Sequence, residues 1–406
     1  MHVKIALIKI VQYIKSVYNT ILLYLSVIST LMTPGTVIWK LFGNRKGKVC
    51  LLNRDLICDS KTLMNLPKCG KPLDGYTNAL YPFLPTFLLD NNQYWIDRRD
   101  VFSYGNNLIN KRIFDISFDF ELKSKQGNIL WDIFEIISKY SFQLVFNRLP
   151  TDEEFNDIYS GLIDINKIIK RISSTPNIPI RKIFYDRILK LIKDNNENFL
   201  FHNCENFFKM DEIHQVSSVA EDFLTTMAVQ CTDLVCHMLI LYSEYPEDFE
   251  NNFENSFNET LRLYPLTDIW VRESSNNEKG WIASLVQLNR NGWSQPNTFN
   301  PQRWDSTNHP PLMSWGFDVR RCPAQKLATN ISRLIFENII HKNQFWIQPA
   351  ANFQHERTFP YGCQVSLGYG DKPHDVKLWK FNNKLKMQFQ RWLFEKLRMI
   401  DQNELN

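Results

Sequence analysis

The segment from Ser218 to Pro246 limits the fold more than any other part of the chain. Its interior, Met227-Ala228-Val229, Leu234-Val235 and Met238-Leu239-Ile240-Leu241, is apolar around most of a helix's circumference. Such a helix belongs inside a body, because no face of it is suited to water. Ser218 and Glu221 form a capping-box pattern that predicts its start. Pro246 predicts its end. Twenty-odd helical residues span about 40 Å, the width of a domain. The chain has 406 residues, 44% of them hydrophobic, which is enough to bury such a helix in one large domain or two ordinary ones. The net charge of +4 is only mildly basic, so no nucleic-acid partner is implied.

Ser16 to Trp39 carries no charge and is flanked by Lys15 and Lys40. The length suits a membrane span, but Pro34-Gly35 would end a helix near Thr33. Two readings fit: a membrane-associated helix, or a buried first helix of the body. "TVIWKLFGNRKGKVCLL" has two β-rich runs around Gly43 to Gly47 and predicts a hairpin. Residues 115–206 read as mostly helical, and strands follow Tyr264-Pro265. Helical periodicity resumes in "CPAQKLATNISRLIFENII". Residues 372–400 form a basic amphipathic pattern with Leu385, Phe389, Trp392, Leu393, Leu397 and Ile400 on one face. That pattern suits either docking on the body or contact with a membrane surface. The expected organisation is an apolar helix over 1–35, a catalytic domain over 36–371 and a basic tail over 372–406. Eight scattered cysteines read as reduced thiols in a cytosol-facing protein.

One cysteine stands apart. In "SWGFDVRRCPAQ", Cys322 lies between Arg320-Arg321 and Pro323, where a helix is predicted to begin. The arginines and the positive helix end would lower its pKa, suiting it to nucleophilic catalysis or to metal ligation. No cysteine-hydrolase pattern surrounds His309 or His341, the nearest histidines. Elsewhere, "NETLRLYP" sets Glu259 and Arg262 one helical turn apart, and "FNPQRW" supplies Arg303 as a second partner for the same carboxylate. "YWIDRR" spaces Trp95 and Arg99 one turn apart, and "IWVRE" adds Arg272. Each is ordinary alone; together, in this order, they are not.

On these motifs the sequence, from roughly Thr36 to Gly370, resembles the cytochrome P-450 family of haem-thiolate enzymes. The resemblance implies a mainly α, α+β fold: a triangular helical body with small sheets and a long central helix over the haem. It implies Cys322 as the iron ligand of a haem b, with Glu259, Arg262 and Arg303 as a buried triad supporting its loop. Trp95, Arg99, Arg272 and Arg320 would face the haem propionates, with Trp315 beside the haem in place of the family's usual phenylalanine. No CxxCH occurs, so covalent attachment is not expected. A thiolate ligand favours O–O cleavage. The implied activity is an oxidoreductase, a monooxygenase hydroxylating an apolar small molecule such as a lipid, sterol, terpenoid or fatty acid. Electrons would come from a separate reductase or ferredoxin.

The sequence departs from the family pattern at Asp318 and Ala324, where glycines are usual, and at Val229, where the long helix usually kinks. Thr232 is the candidate proton relay, yet an ungapped count back from Tyr245-Pro246 places Gln230 there instead. These departures admit two alternatives: a peroxide-dependent or isomerising enzyme of the same fold, and a catalytically degenerate haem-binding or membrane-attached protein. A membrane scaffold in which Cys322 is a buried thiol is the reading without haem.

Overall fold

This computed structural model describes residues 11–21, 34–43, 45–51, 54–66, 93–113, 130–169, 176–194, 197–267, 269–272, 280–317, 321–342, 345–349 and 365–369. The chain forms two compact units interleaved in sequence. One comprises Met1–Leu73, Glu244–Cys322 and Gln354–Pro360; the other comprises Asp74–Ser243, Pro323–Phe353 and Tyr361–Asn406.

The first unit carries a four-stranded sheet of β1 (Lys48–Cys50), β2 (Arg54–Ile57), β3 (Ile269–Arg272) and β4 (Gly280–Ser284), in the order β1-β2-β4-β3. The β2–β4 pair is parallel, with Leu56 opposite Ile282; the two outer pairs are antiparallel. The hairpin predicted around Gly43 to Gly47 is not formed. Its first run is a helix, Pro34–Phe42, with proline at its first position, where the missing N–H costs nothing. That helix buries Ile38 and Phe42, one turn apart, in a cluster with Val49, Leu51, Leu56 and Cys58. Packing has overridden the β propensity of Val37, Ile38 and Trp39. β1 turns back to pair with β2 instead. In a second cluster Ile57 and Ala283 of the sheet meet Leu285, Leu288 and Met313. β4 runs directly into helix Leu285–Arg290, so this cluster fixes that helix and the turn at Met313 to the sheet.

Residues 11–21 are helical, with polar Ser16 and Asn19 turned inward at 6% and 5% exposure. Asn19 Nδ2 donates to Cys50 O at 3.3 Å. Val11, Ile14, Tyr18 and Ile21 lie exposed on the outer side.

The second unit is built around the long helix Glu212–Tyr242. By length and composition it could cross a membrane, yet 89% of its most apolar window is buried inside the protein. The helix begins earlier than the Ser218/Glu221 pattern predicts. Asp211 is its cap, its carboxylate accepting from His214 N at 2.9 Å, so Ser218 falls inside the helix. Between Ser218 and Thr225 the helix widens into a π-helical stretch, closed where Thr226 N donates to Glu221 O, five residues back. Helices Leu130–Phe146 and Gln325–Lys342 pack along it, and Gln93–Arg112 packs on the widened stretch. At Gly105 of that last helix an added Cβ would lie 2.8 Å from Phe223 and 2.9 Å from Phe201, which explains the missing side chain. β5 (Phe345–Pro349) and β6 (Val365–Tyr369) form a separate antiparallel pair. The tail expected over 372–406 lies outside the described residues.

Candidate active site

The expected triad forms, with Glu259 and Arg262 fully buried and Arg303 partly so. Glu259 and Arg262 lie on helix Phe253–Leu263, each with 0% exposure. Arg262 grips the carboxylate with both edges of its fork, Nε to Oε2 at 2.7 Å and Nη2 to Oε1 at 2.8 Å. Arg303, on the turn Pro301–Trp304, brings Nε within 3.1 Å of Oε1. Two further donors complete the shell: Asn300 N to Oε1 and Trp304 Nε1 to Oε2, both at 3.0 Å. A buried carboxylate is tolerable only when paired and hydrogen-bonded on all sides, and Glu259 meets that condition.

The two guanidinium groups reach beyond the carboxylate. Arg262 also donates to Pro296 O at 2.7 Å, and Arg303 donates to Ser294 O and Asn300 O at 3.0 Å. Both lie over the ring of Trp293, at 5.7 and 5.2 Å from its centroid. Desolvation lowers the pKa of Arg303, with Glu259 pulling it back up and Arg262 pushing it further down. Glu259 thereby gathers the segment 293–304 onto the helix.

The cysteine loop hangs from the same helix. Ser314 Oγ donates to Leu261 O at 2.9 Å, while Asn289 Oδ1 accepts from Met313 N at 2.8 Å. Asn289 Nδ2 lies 2.7 Å from Ser314 Oγ, and Asn289 itself is fully buried. Trp315, 9% exposed, stacks on Phe257 with ring centroids 6.5 Å apart and planes at 15°. Gly316 follows with φ 76°, a left-handed conformation that a glycine adopts without strain. Cys322 N donates back to Trp315 O at 2.6 Å, closing the loop, and its side chain is half-buried. Helix Gln325–Lys342 opens three residues later in the chain, two residues after the predicted start.

Glu259, Arg262, Arg303, Trp315 and Cys322 are thus joined by one continuous set of contacts in the first unit. Asp318 and Arg320 lie outside the described residues, as do the side chains of Trp95 and Arg272, although the backbones of those two belong to helix Gln93–Arg112 and β3. Arg99 is half-buried on the same helix as Trp95. Thr232 is fully buried in the long helix, with no hydrogen-bond partner for Oγ1. Gln230 is half-buried.

The sequence reading missed Trp304, Trp293 and Asn289. Trp304 follows Arg303 directly in "PQRW", and its indole N–H was the available signal. Asn289 gave none: a polar residue in "LVQLNR" looks like a solvent-facing helix position.

A second ion-pair cluster was not anticipated either. Arg98, 2% exposed, donates from Nη2 to Glu221 Oε2 at 2.9 Å, Asp222 Oδ1 at 3.0 Å and Ser217 O at 3.3 Å. One cation faces two carboxylates. Burial pushes Asp222 up to about 7, Arg98 opposing and Glu221 adding to the rise.

The cysteine loop is thus tied by hydrogen bonds to the helix that carries Glu259 and Arg262, in a mostly helical chain with small sheets. The sequence profile of the cytochrome P450 family matches residues 281–378. Solved structures share the fold at low identity. Cyanobacterial CYP120A1 bound to retinoic acid has a TM-score of 0.57 and 14% identity, covering 82% of this chain and 93% of that one. A zebra fish cytochrome P450 with abiraterone has a TM-score of 0.56 and 12% identity, covering 83% and 99%. Cytochrome P450EX alpha (CYP152N1) with myristic acid gives 0.55 and 12%, covering 82% and 93%. No curated protein matches by sequence.

The family's cofactor is haem iron, and the residues present fit it. Haem brings four nitrogen ligands of its own and asks the protein for one more. The half-buried thiol of Cys322 has the chemistry that could supply it.

Proposed function

We propose that this protein is a haem-thiolate monooxygenase that hydroxylates an apolar small molecule, with electrons from a separate reductase or ferredoxin. The observation that carries the reading is the Cys322 loop, closed on Trp315 and suspended from the Glu259 helix by Ser314 and Asn289. Rigid suspension holds the sulfur in one place, and backbone N–H groups near a ligating thiolate temper its charge. Cys322 would hold the iron of a haem b, which when bound activates oxygen or peroxide. Trp95, Arg99, Arg272 and Arg320 would hold the carboxylates of the cofactor, and the long helix would line the substrate space.

The test is spectroscopic. The reduced, haem-supplied protein with carbon monoxide should show the red-shifted Soret band of a ferrous thiolate complex, and Cys322→Ala should abolish it. A folded protein without the band sinks the assignment. A peroxide-dependent reaction is the second reading, supported by Val229 and Gln230 in the stretch where the family's kink and relay are usual. Product formed with peroxide, and none with a reductase and NADPH, would select it.

The helix over 11–21 supports a place at a membrane surface. It turns Ser16 and Asn19 inward and leaves Val11, Ile14, Tyr18 and Ile21 outside, with Lys15 exposed beside them. An apolar stripe with a cation at its edge suits the headgroup boundary. The protein should co-sediment with anionic phospholipid vesicles, and the double substitution Ile14→Ser with Tyr18→Ser should release it.

A further inference from the structure

Two carboxylates that are neighbours in sequence grip the same guanidinium nitrogen. Arg98 Nη2 lies 2.9 Å from Glu221 Oε2 and 3.0 Å from Asp222 Oδ1, and the three side chains are buried. In a regular helix neighbouring side chains point about 100° apart, which takes one of them away from any shared partner. Here both reach Arg98 from the π-helical stretch Ser218–Thr225. Its five-residue hydrogen bonding puts more residues into each turn and brings successive side chains closer round the axis. The widened register has a cost. Ser218 Oγ and Thr225 Oγ1 are fully buried in it with no hydrogen-bond partner. A threonine inside a regular helix bonds back to the carbonyl four residues before it. For Thr225 that carbonyl is Glu221 O, which here accepts from Thr226 N. Each register satisfies groups that the other leaves wanting.

The charges balance only with a proton present. Arg98 and Glu221 are the charged groups that act on Asp222, so two carboxylates face one cation. The helices packed round the stretch bury, besides Arg98, only Asp164 and Arg181 as charges among the described residues, and those two close on each other at 2.6 Å. Glu135 and Lys139 of helix Leu130–Phe146 are likewise paired, at 2.7 Å. A net buried charge is costly, which favours one proton on the acid pair. Burial accordingly pushes Asp222 up to about 7.

We propose that Ser218–Thr225 is a proton-gated register switch. With one proton on the Glu221–Asp222 pair, the stretch stays widened and both acids hold Arg98. When that proton leaves for solvent, Asp222 turns off the guanidinium, the stretch closes to a regular helix, and Glu221 O accepts from Thr225 Oγ1. Helix Thr226–Tyr242 is held by Leu130–Phe146 and Gln325–Lys342, so the part that turns is Glu212–Ser217. Its charged tie to helix Ile178–Lys193 is slight, Glu212 meeting Lys193 at 2.8 Å with both side chains exposed, and the Asp211–His214 pair travels with it. The switch converts a change of pH into a turn of Glu212–Ser217 against helix Ile178–Lys193, and it does not depend on the haem assignment.

The test uses the full chain with ketone-bearing amino acids installed at Ile183 and Ile213, exposed positions on the two segments, and a nitroxide attached to each. Pulsed electron double resonance then reads the distance between them from about pH 5.5 to about pH 8.5. One population is expected at the acid end. A second, displaced by about 3–8 Å, should grow in as pH rises, since turning a helix by one residue moves a surface label that far. Asp222→Asn and Glu221→Gln each leave a single ionised carboxylate opposite Arg98, so both should keep the acid population throughout; Glu221→Gln serves if Asp222→Asn does not fold. Thr225→Val removes the hydroxyl that favours the regular register and should move the change to higher pH. The proposal is overturned by one unchanging distance in the parent chain, by a transition that persists in either folded acid variant, or by a midpoint that Thr225→Val leaves in place. Loss of helical circular dichroism instead of a second population also overturns it.

Discussion

At the scale of single residues, the site depends on how completely Glu259 is satisfied. Glu259→Gln keeps the shape but removes the charge, leaving Arg262 buried at 0% exposure without its counterion. Stranding a buried charge costs about 3–5 kcal/mol, so the midpoint of urea unfolding should fall sharply. Trp304→Phe deletes only the indole donor 3.0 Å from Oε2 and should cost about 1–2 kcal/mol by the same measurement. The triad was legible in the sequence because charged partners at fixed spacing leave a pattern. Trp293 was not, since nothing in its type says that an indole ring will lie beneath two guanidinium groups. Asp222 makes a prediction of the other kind. Its folded pKa stands above the usual carboxylate value, at about 7, so the folded state holds its proton more tightly than the unfolded chain. The stability this supplies is fully present below the unfolded value and is lost as pH rises towards about 7. Unfolding midpoints between pH 5 and 7.5 should therefore fall with rising pH, and Asp222→Asn should flatten that part of the profile.

At the scale of elements, the helices were easier to read than the strands. The long helix, the helices between 130 and 193, and Gln325–Lys342 all announced themselves by periodicity. The hairpin expected at residues 36–52 failed because β-rich composition is a local signal, whereas Ile38 and Phe42 are placed by their distant partners in the sheet cluster. The start of the long helix was misplaced for a related reason: two capping patterns compete within ten residues, and Asp211 rather than Ser218 faces unsatisfied N–H groups. Close helix contacts give a further test. An added Cβ at Gly161 would lie 2.4 Å from Phe184 Cγ, between helices Asp152–Ile169 and Ile178–Lys193. Gly161→Ala should lower stability by about 1–3 kcal/mol through overpacking, although alanine is the better helix former. Thermal unfolding monitored by circular dichroism would show it.

For the molecule as a whole, the interleaving of the two units was invisible in the sequence, because each unit draws on segments far apart in the chain. The triad is the plainest case. Trp304 lies 45 residues beyond the carboxylate that it serves. During synthesis at roughly 5–20 residues per second, Glu259 and Arg262 emerge some 2–9 s before the segment that completes their shell. Until then their helix has reason to remain in water, and dehydrating it early would strand an incompletely paired carboxylate. The nascent chain therefore has a built-in delay, in which the support for the cysteine loop cannot set before the loop's own neighbourhood has been translated.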